Sequence, residues 1–565
     1  MGDEATYAMQ AESLAFDADL RYTADDFHRL QEHWGHLPQG LILQSGDDGA
    51  TITYGKPVFY PLYLAPFLWL SPIRGPLLAN VLILALAALA SARVLEVRLG
   101  PWAPLWIAAL VFGSVSFGFV FWVHADLFLM ALCALGYALV FDDAGRLPIR
   151  GPWRWGLAGL LLAVVAFSRP TYAPLFLPAL AMVPWRDRRA VVALLGAAAA
   201  LVLASASMHY ALTSTWTGYG ALRSGFYAHT GYPEIDFSTD EWVMRVKEQG
   251  NAAARGPLGV LRDKRITPSL VGWNSLYFVF GRHVGLVPYF LPGLLCLLGP
   301  WRERRWWVLL LAAALSVGLF LWTRPFNFYG GGGTLANRYF LPIYPALWFA
   351  LGARLRLSWV AASIALAGVF LFPLWGSAAT YPLGKDGAYR YVSPVASELL
   401  PFETTQSHLR LAGRDDLYED GYYLRLVDPE LRQGGDGYLR IPREVEGTVV
   451  VGSQSPLEHL DLLLRWPGDA IPWVDGISIE DLGLVDLGGE GSGSAGEVVR
   501  HYRLELGTAD ARHPLWWTWE PAHLYHLDLR FEGGSPPVPG TDPRVVFRLD
   551  RQRDDPVAEP GTPTP

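Results

Sequence analysis

The residues of this chain that could do chemistry fall in a few short stretches. DEATYAMQAESLAFDADL (residues 3–20) opens with Asp3 and Glu4, and Tyr7, Ala11, Leu14 and Ala18 follow at helical spacing. A carboxylate held there could deprotonate or orient an acceptor hydroxyl. The plain alternative is negative charge favoured at a helix N-terminus. YGKPVFYPLYLAPF (54–67) sets Lys56 before a proline and an aromatic run. Such a cation at headgroup depth meets lipid phosphates, or simply snorkels. FSRPTY (167–172) carries Arg169, and TRPFNFYGGGGTLANRYFLPIYP (323–345) carries Arg324, four glycines (Gly330 to Gly333), Asn337, Arg338 and Tyr339. Consecutive glycines let a backbone approach a ligand closely. Asp126, in WVHAD (122–126), stands at a turn from which it could face the same cavity. Carboxylates on one wall, with Lys56, Arg169, Arg324 and Arg338 around it, suit one reaction. The carboxylate takes the acceptor's proton while the cations stabilise a departing phosphate.

Apolar segments must position these groups. Ten are read as membrane helices, at 76–95, 102–122, 125–141, 155–168, 171–184, 190–211, 284–299, 306–322, 339–353 and 357–376. Several are shorter than the ~20 residues a bilayer asks for, and 155–168 with 171–184 could form a re-entrant pair. Arginines fall in alternate connectors: Arg93 and Arg98; Arg146, Arg150 and Arg154; Arg186, Arg188 and Arg189; Arg302, Arg304 and Arg305; Arg354 and Arg356. The positive-inside rule makes those connectors cytoplasmic. Residues 1–75, the large loop 212–283, the loop 323–338 and everything after 377 are then extracytoplasmic. That places the N-terminal loop outside, so one further helix is expected upstream of Met1.

Beyond residue 377 the pattern changes. YHLDLRFE (525–532), HYRLEL (501–506) and GYLRI (437–441) alternate polar and apolar residues, and TVVV (448–451) reads as a buried strand. The expected organisation is a first outer loop with amphipathic helices (1–75) and a transmembrane domain (76–376). An extracytoplasmic β-sandwich (377–532) and a disordered tail (533–565) rich in Pro, Gly and Asp complete it. Tryptophans in WWTW (516–519) suit either a sugar site or the sandwich core.

Composition narrows the classes. Hydrophobic residues make up 52% of the 565 positions and charged ones 17%, as in an integral membrane protein. A net charge of −8 argues against nucleic acid as a partner. The two cysteines, Cys133 and Cys296, lie in apolar runs and offer neither a disulfide framework nor a cysteine metal site. His209, His229 and His283 fall near the outer side as possible metal ligands, though each stands alone in the sequence. Aromatics of the loop 212–283, such as Trp216 and Tyr232, could stack on a sugar or lie on the membrane surface.

Taken in order and spacing, these stretches resemble the bacterial membrane glycosyltransferases of GT-C fold, the aminoarabinose transferase and protein mannosyltransferase-like group. The resemblance covers about residues 2–376. DEATYAMQAESLAFDADL is similar to their first-loop motif, YGKPVFYPLYLAPF to their Lys-Pro-Pro-Leu loop, SRPT to their Arg-Pro helix end, and GGGGTLANRYFLPIYP to their Gly-rich Arg-Tyr loop. It implies a polyprenyl-phosphate-linked sugar as donor, a glycan, lipid or protein acceptor on the outer face, and an inverting displacement. It also implies that Asp3 acts as base or acceptor-orienting group and that Lys56 contacts the donor phosphate. Departures are visible: Gly55 stands where an acidic residue often precedes the lysine, Val58 replaces the second proline, and Thr6 stands where a basic residue sometimes precedes the tyrosine. A divalent metal is possible in the family's terms, and Gly55 weakens that expectation.

The fold expected is thus a polytopic α-helical, GT-C-like membrane protein of the bacterial cytoplasmic membrane, with about ten spans, its first helix missing, and an outer β-sandwich. Asp3 and Glu4 are the catalytic candidates. Tyr7, Lys56, Asp126, Arg169, Asn337, Arg338 and Tyr339 are the substrate-binding ones. A non-enzymatic polytopic protein that binds or translocates lipid-linked glycans is the alternative, since it would keep the cations and need no base.

Overall fold

A computed structural model describes residues 3–38, 40–45, 51–214, 216, 222–228, 231–238, 241, 267–325, 328, 338–352, 356–378, 392–401 and 403, and strands between 422 and 548. Two compact units are distinguished. One comprises Met1–Asp263, Tyr289–Thr323 and Asn337–Leu383, the other Lys264–Pro288, Arg324–Ala336 and Gly384–Pro565.

The first unit begins with a small polar layer. Helix α1 (Asp3–Glu12) runs into one π-type turn, Ser13–Asp17, ended by Ala18 in the left-handed region at φ 57°. Helix α2 (Ala24–Trp34) opens with a capping box: Thr23 Oγ1 accepts from Asp26 N, and Asp26 Oδ2 accepts from Thr23 N at 3.0 Å. Burial pushes the Asp26 carboxyl up to about 6, against the bonds from Thr23 and the charge of Arg29. Strands β1 (Leu41–Ser45), β2 (Ile52–Tyr54) and β3 (Leu222–Phe226) form an antiparallel sheet in the order β2-β1-β3. The third strand thus comes from the large loop of the sequence reading. Tyr22 Oη donates to Pro233 O at 3.0 Å, and the buried Tyr232 packs on Phe27, so this part of the loop is pinned to α2.

Helix α3 (Phe59–Leu68) leads into the apolar bundle. There α4 (Gly75–Leu99) ends at Gly100, φ 64°, and α5 (Ala103–Phe112) packs against α4. Then follow α6 (Ala125–Phe141), α7 (Gly151–Ser168), α8 (Leu177–Met182) and α9 (Arg188–Thr213). After α10 (Pro268–Phe280), of the second unit, come α11 (Leu286–Leu294), α12 (Arg304–Thr323), α13 (Tyr344–Ala350) and α14 (Leu357–Ser377). Among the described residues, five runs are long and apolar enough to cross a membrane: Gly75–Phe112, Gly151–Ser168, Arg188–Thr213, Arg304–Thr323 and Leu357–Ser377. They expose Leu89, Val192, Leu203, Leu366 and Phe372, side chains that water would solvate poorly. The protein is helical and membrane-associated.

Other expected spans take a different form. Helix α6 has 17 residues, all buried except Leu135, and is the core around which the bundle packs. Segment 171–184 is a 3₁₀ stretch, Pro170–Phe176, followed by the six-residue α8, because Pro174 and Pro178 remove helix donors. Segment 339–353 is the 3₁₀ stretch Arg338–Ile343 and then the seven-residue α13, with Pro342 and Pro345 at the break. Helix α11 kinks at Phe290, near Pro292, and continues as the 3₁₀ stretch Leu295–Leu298.

Charged side chains gather at both ends of the bundle. At one end Arg98 Nη1 meets Glu303 Oε2 at 2.6 Å, and Arg154 reaches Asp142 O and, at 3.6 Å, Asp143. Arg305 there donates twice to Phe349 O. The opposite end of α6 and α7 carries Asp126 and Arg169.

In the second unit, Asn274 of α10 donates to Pro325 O at 2.8 Å, and Glu403, just past α15 (Pro394–Leu399), engages His283. Eleven further strands pair antiparallel in two sheets. One has the order β10-β9-β13-β7-β4, from Ile477–Ser478, Ile471–Val474, His523–Glu532, Gly447–Ser453 and Tyr422–Leu426. The other has the order β11-β12-β8-β14-β6-β5, from Val485–Asp486, Glu497–Glu505, His459–Pro467, Arg544–Arg548, Leu439–Arg440 and Arg432–Gln433. TVVV and YHLDLRFE lie within β7 and β13, HYRLEL supplies the end of β12, and GYLRI supplies only the two residues of β6. The expected disordered tail is corrected in one place: β14 lies inside 533–565 and pairs with β8, Val546 opposite Leu463. Its Val-Val-Phe run has the β-branched and aromatic character strands favour. The WWTW motif lies outside the described residues.

Candidate anion pocket at one end of the bundle

The site grows from six separate places in the chain. Helix α1 is docked by Thr6 Oγ1, which accepts from Ile42 N at 2.9 Å, and by Gln10, whose amide donates to Lys56 O at 3.4 Å. The β1–β2 hairpin delivers Lys56: Gly55 N donates to Ile42 O at 2.9 Å, and Pro57 restricts the lysine's backbone to extended geometry. Tyr7, 3% exposed, sets its ring edge-on to Tyr60 (5.5 Å) and to His124 (5.1 Å). The Lys56 ammonium lies 5.6 Å from the Tyr7 ring centre. Tyr60 in turn donates to Asn80 Oδ1 at 3.0 Å, and the Asn80 amide donates to Val120 O and Trp122 O, which fixes α3 to the turn before α6.

That turn ends in His124, the N-cap of α6, with Asp126 in the first helical turn. Asp126 is fully buried. Its Oδ1 is 2.7 Å from Arg169 Nη1, its Oδ2 2.8 Å from His124 Nδ1 and 3.9 Å from Arg338 Nε. A carboxylate so placed needs such partners, because an unpaired buried charge is very costly. Arg169 follows the last residue of α7, where Pro170 stops the helix. Its guanidinium lies over the Tyr339 ring at 4.2 Å and donates to Tyr172 Oη at 2.9 Å, and that hydroxyl donates to Tyr339 O at 2.5 Å. Arg338, 6% exposed, lies over the same ring at 4.9 Å.

A pocket opens in front of this network, lined by Tyr7, Lys56, Tyr60, Ser168, Arg169 and Arg223 among others, and no carboxylate lines it among the described residues. Tyr7, Lys56 and Arg169 thus meet as expected. Asp126 does not face the cavity. It stands behind Arg169 as that cation's anchor, and Arg338 and Tyr339 complete the layer at the back. Glu4 is half-buried near Tyr60, whose phenol is pushed up by burial and, further, by the Glu4 charge. Asp3 occupies the first position of α1, one helical turn before Tyr7. Its side chain, Gly330 to Gly333, Asn337 and His229 lie outside the described residues. Arg324 is exposed and belongs to the second unit.

Sequence reading passed over His124, Tyr60, Tyr172 and Arg223. His124 had a local signal, a polar residue at an N-cap two positions before an acidic one. Arg223 had none, since only the β1–β3 ladder, with Gln44 opposite Arg223, brings it here. Of the suggested histidine ligands, His209 packs near the Phe167 ring (6.1 Å) and His283 binds Glu403. No group of three His, Cys, Asp or Glu suited to a metal occurs among the described residues. A pocket whose described lining is cationic and aromatic can hold an anion with several oxygens, phosphate above all. No protein-family model, curated protein or solved structure matches this chain.

Proposed function

We propose that the protein is a membrane glycosyltransferase of GT-C-like architecture that moves a sugar from a polyprenyl-phosphate donor to a cell-envelope acceptor. In this reading the bundle sits in a bacterial cytoplasmic membrane, crossed by its five long apolar runs. The pocket and a C-terminal β-sandwich face outward. The observation that carries it is the meeting of Lys56 and Arg169 in one pocket beside the start of α1, where Asp3 and Glu4 stand. The acceptor oxygen attacks the anomeric carbon as the bond from that carbon to the phosphate oxygen breaks, and the bonding pair leaves on the phosphate. The acceptor's proton passes to the Asp3 carboxylate. Lys56 and Arg169 stabilise the charge that gathers on the leaving phosphate.

The test uses the full-length chain in lipid nanodiscs and a panel of labelled polyprenyl-phosphate sugars. Asp3→Asn is expected to lower transfer by about 10²–10⁴-fold, the usual contribution of a general base, with donor binding kept. Lys56→Ala is expected to weaken donor binding itself. Transfer unimpaired by both substitutions would remove the mechanism. Donor binding that depends on Lys56, without transfer of any sugar, would instead identify a lipid-linked glycan carrier.

A further inference from the structure

We infer that the starts of α7 and α9 form a docking surface for the headgroup of an anionic phospholipid, at the end of the bundle away from the Lys56 pocket. The two helices run side by side in one direction. A Cβ on Gly156 would stand 3.6 Å from Ala193 O, and further along both helices the Phe167 ring lies 6.1 Å from the His209 ring. Gly156 and Ala193 each lie five residues past the first residue of their helix, so Gly151 and Arg188 begin at the same level. Arg154 fixes which end this is. It donates to Asp142 O just beyond the last residue of α6, whereas Asp126 and Arg169 stand at the other ends of α6 and α7.

Arg150 precedes α7, and Arg186, Arg188 and Arg189 lie at the start of α9. All four are exposed, and none has an ion-pair partner among the described residues. The neighbouring acids are engaged. Asp187 caps α9 by accepting from Arg189 N at 3.0 Å and Ala190 N at 3.4 Å. Asp142 accepts from Arg146 N and Leu147 N, and Asp143 lies 3.6 Å from Arg154. With the Asp187 charge counted, the surface is still cationic. Two tryptophans flank it. Trp153 is 83% exposed and Trp185 58%, and the Trp185 indole donates to Leu180 O at 3.0 Å, which holds its ring. Tryptophan favours the boundary between lipid tails and headgroups. Arg188 also heads an apolar face: Val192, Leu195 and Leu203 follow it at helical spacing and are exposed. They lie on a run long and apolar enough to cross a membrane. Cations at the head and an apolar face alongside answer to one ligand. Its phosphate accepts from the guanidinium forks and its acyl chains lie along α9. An acidic peptide or a nucleic acid would use the arginines and leave the apolar face uncovered.

The test titrates the full-length protein in detergent with phosphatidylglycerol and with phosphatidylcholine, and counts retained lipids by native mass spectrometry. An arginine beside a lipid surface contributes about fivefold in affinity, so wild type is expected to hold phosphatidylglycerol at least about tenfold more tightly. Arg188→Gln alone is expected to lose about fivefold. Arg150→Gln, Arg186→Gln, Arg188→Gln and Arg189→Gln combined are expected to abolish the preference, with an unchanged thermal midpoint because all four side chains are exposed. Lysine at the same four positions keeps the charge and should keep most of the preference. Two controls should leave it intact: Arg74→Gln, an exposed arginine at the other end of α4, and Lys56→Ala in the pocket. Wild type without a preference, a preference that survives the combined glutamine variant, or a lysine variant that loses as much would overturn the inference. So would an equal loss in either control, which would assign the binding to overall charge or to the Lys56 pocket.

Discussion

Asp126 changes role between sequence and structure. At a helix start, beside an outer turn, an acidic residue reads as a ligand-facing group. Its neighbours in space make it an anchor instead: Arg169 at 2.7 Å, His124 at 2.8 Å and Arg338 at 3.9 Å, with no exposed surface. Arg169 can turn towards the pocket because Asp126 holds its other side. Asp126→Asn keeps the shape and removes the charge, leaving buried cations uncompensated. A loss of about 3–5 kcal/mol is expected, as for other broken buried pairs. Thermal unfolding in detergent measures it, and Arg169→Gln added to the same chain should return part of the loss. A single variant as stable as wild type would mean that the pair contributes nothing.

Among the elements, the contact of α7 with α9 depends on a residue that sequence reading passed over. A Cβ on Gly159 would run into the carbonyl oxygen of Leu194, and Leu194 Cα would lie only 3.2 Å away. Gly136 of α6 is crowded too, but by the Leu162 side chain, with Cγ at 2.8 Å and Cδ2 at 2.9 Å. A side-chain end can rotate, whereas a helix backbone must move as a body. Gly159→Ala is therefore expected to cost about 1–3 kcal/mol, the usual range for overpacking, and Gly136→Ala less. Midpoints that rank the two variants the other way would contradict this packing. The apolar pattern identified most helices of the bundle, since a run of Leu, Ala and Val is a local property. It did not show that prolines would split 171–184 and 339–353 into short turns, because there the chain is shielded by neighbours and need not span anything alone.

In the whole chain, long-range ties decide which segments form a unit. Glu403 is fully buried and accepts from His283 N at 2.6 Å and Val284 N at 3.1 Å, with His283 Nδ1 at 2.7 Å. One carboxylate thus joins the turn after α10 to the segment that leads into the strands. Glu403→Ala should raise hydrogen exchange at the His283 and Val284 amides by more than about tenfold, since each would lose a bond to a charged acceptor. Glu403→Gln, which keeps an acceptor oxygen, should raise it less, and exchange unchanged in the alanine variant would show that the tie is dispensable. The sequence by itself determined the apolar helices and the alternating strands. All are set by residues within a few positions of one another, where hydrophobicity and period act directly. Only the tertiary structure decided that Arg223 joins the pocket of Lys56 and Arg169, and that Asp126 stands behind it. Those meetings join residues from 43 to 167 positions apart. Helix packing and one β ladder create them, and no local pattern encodes them.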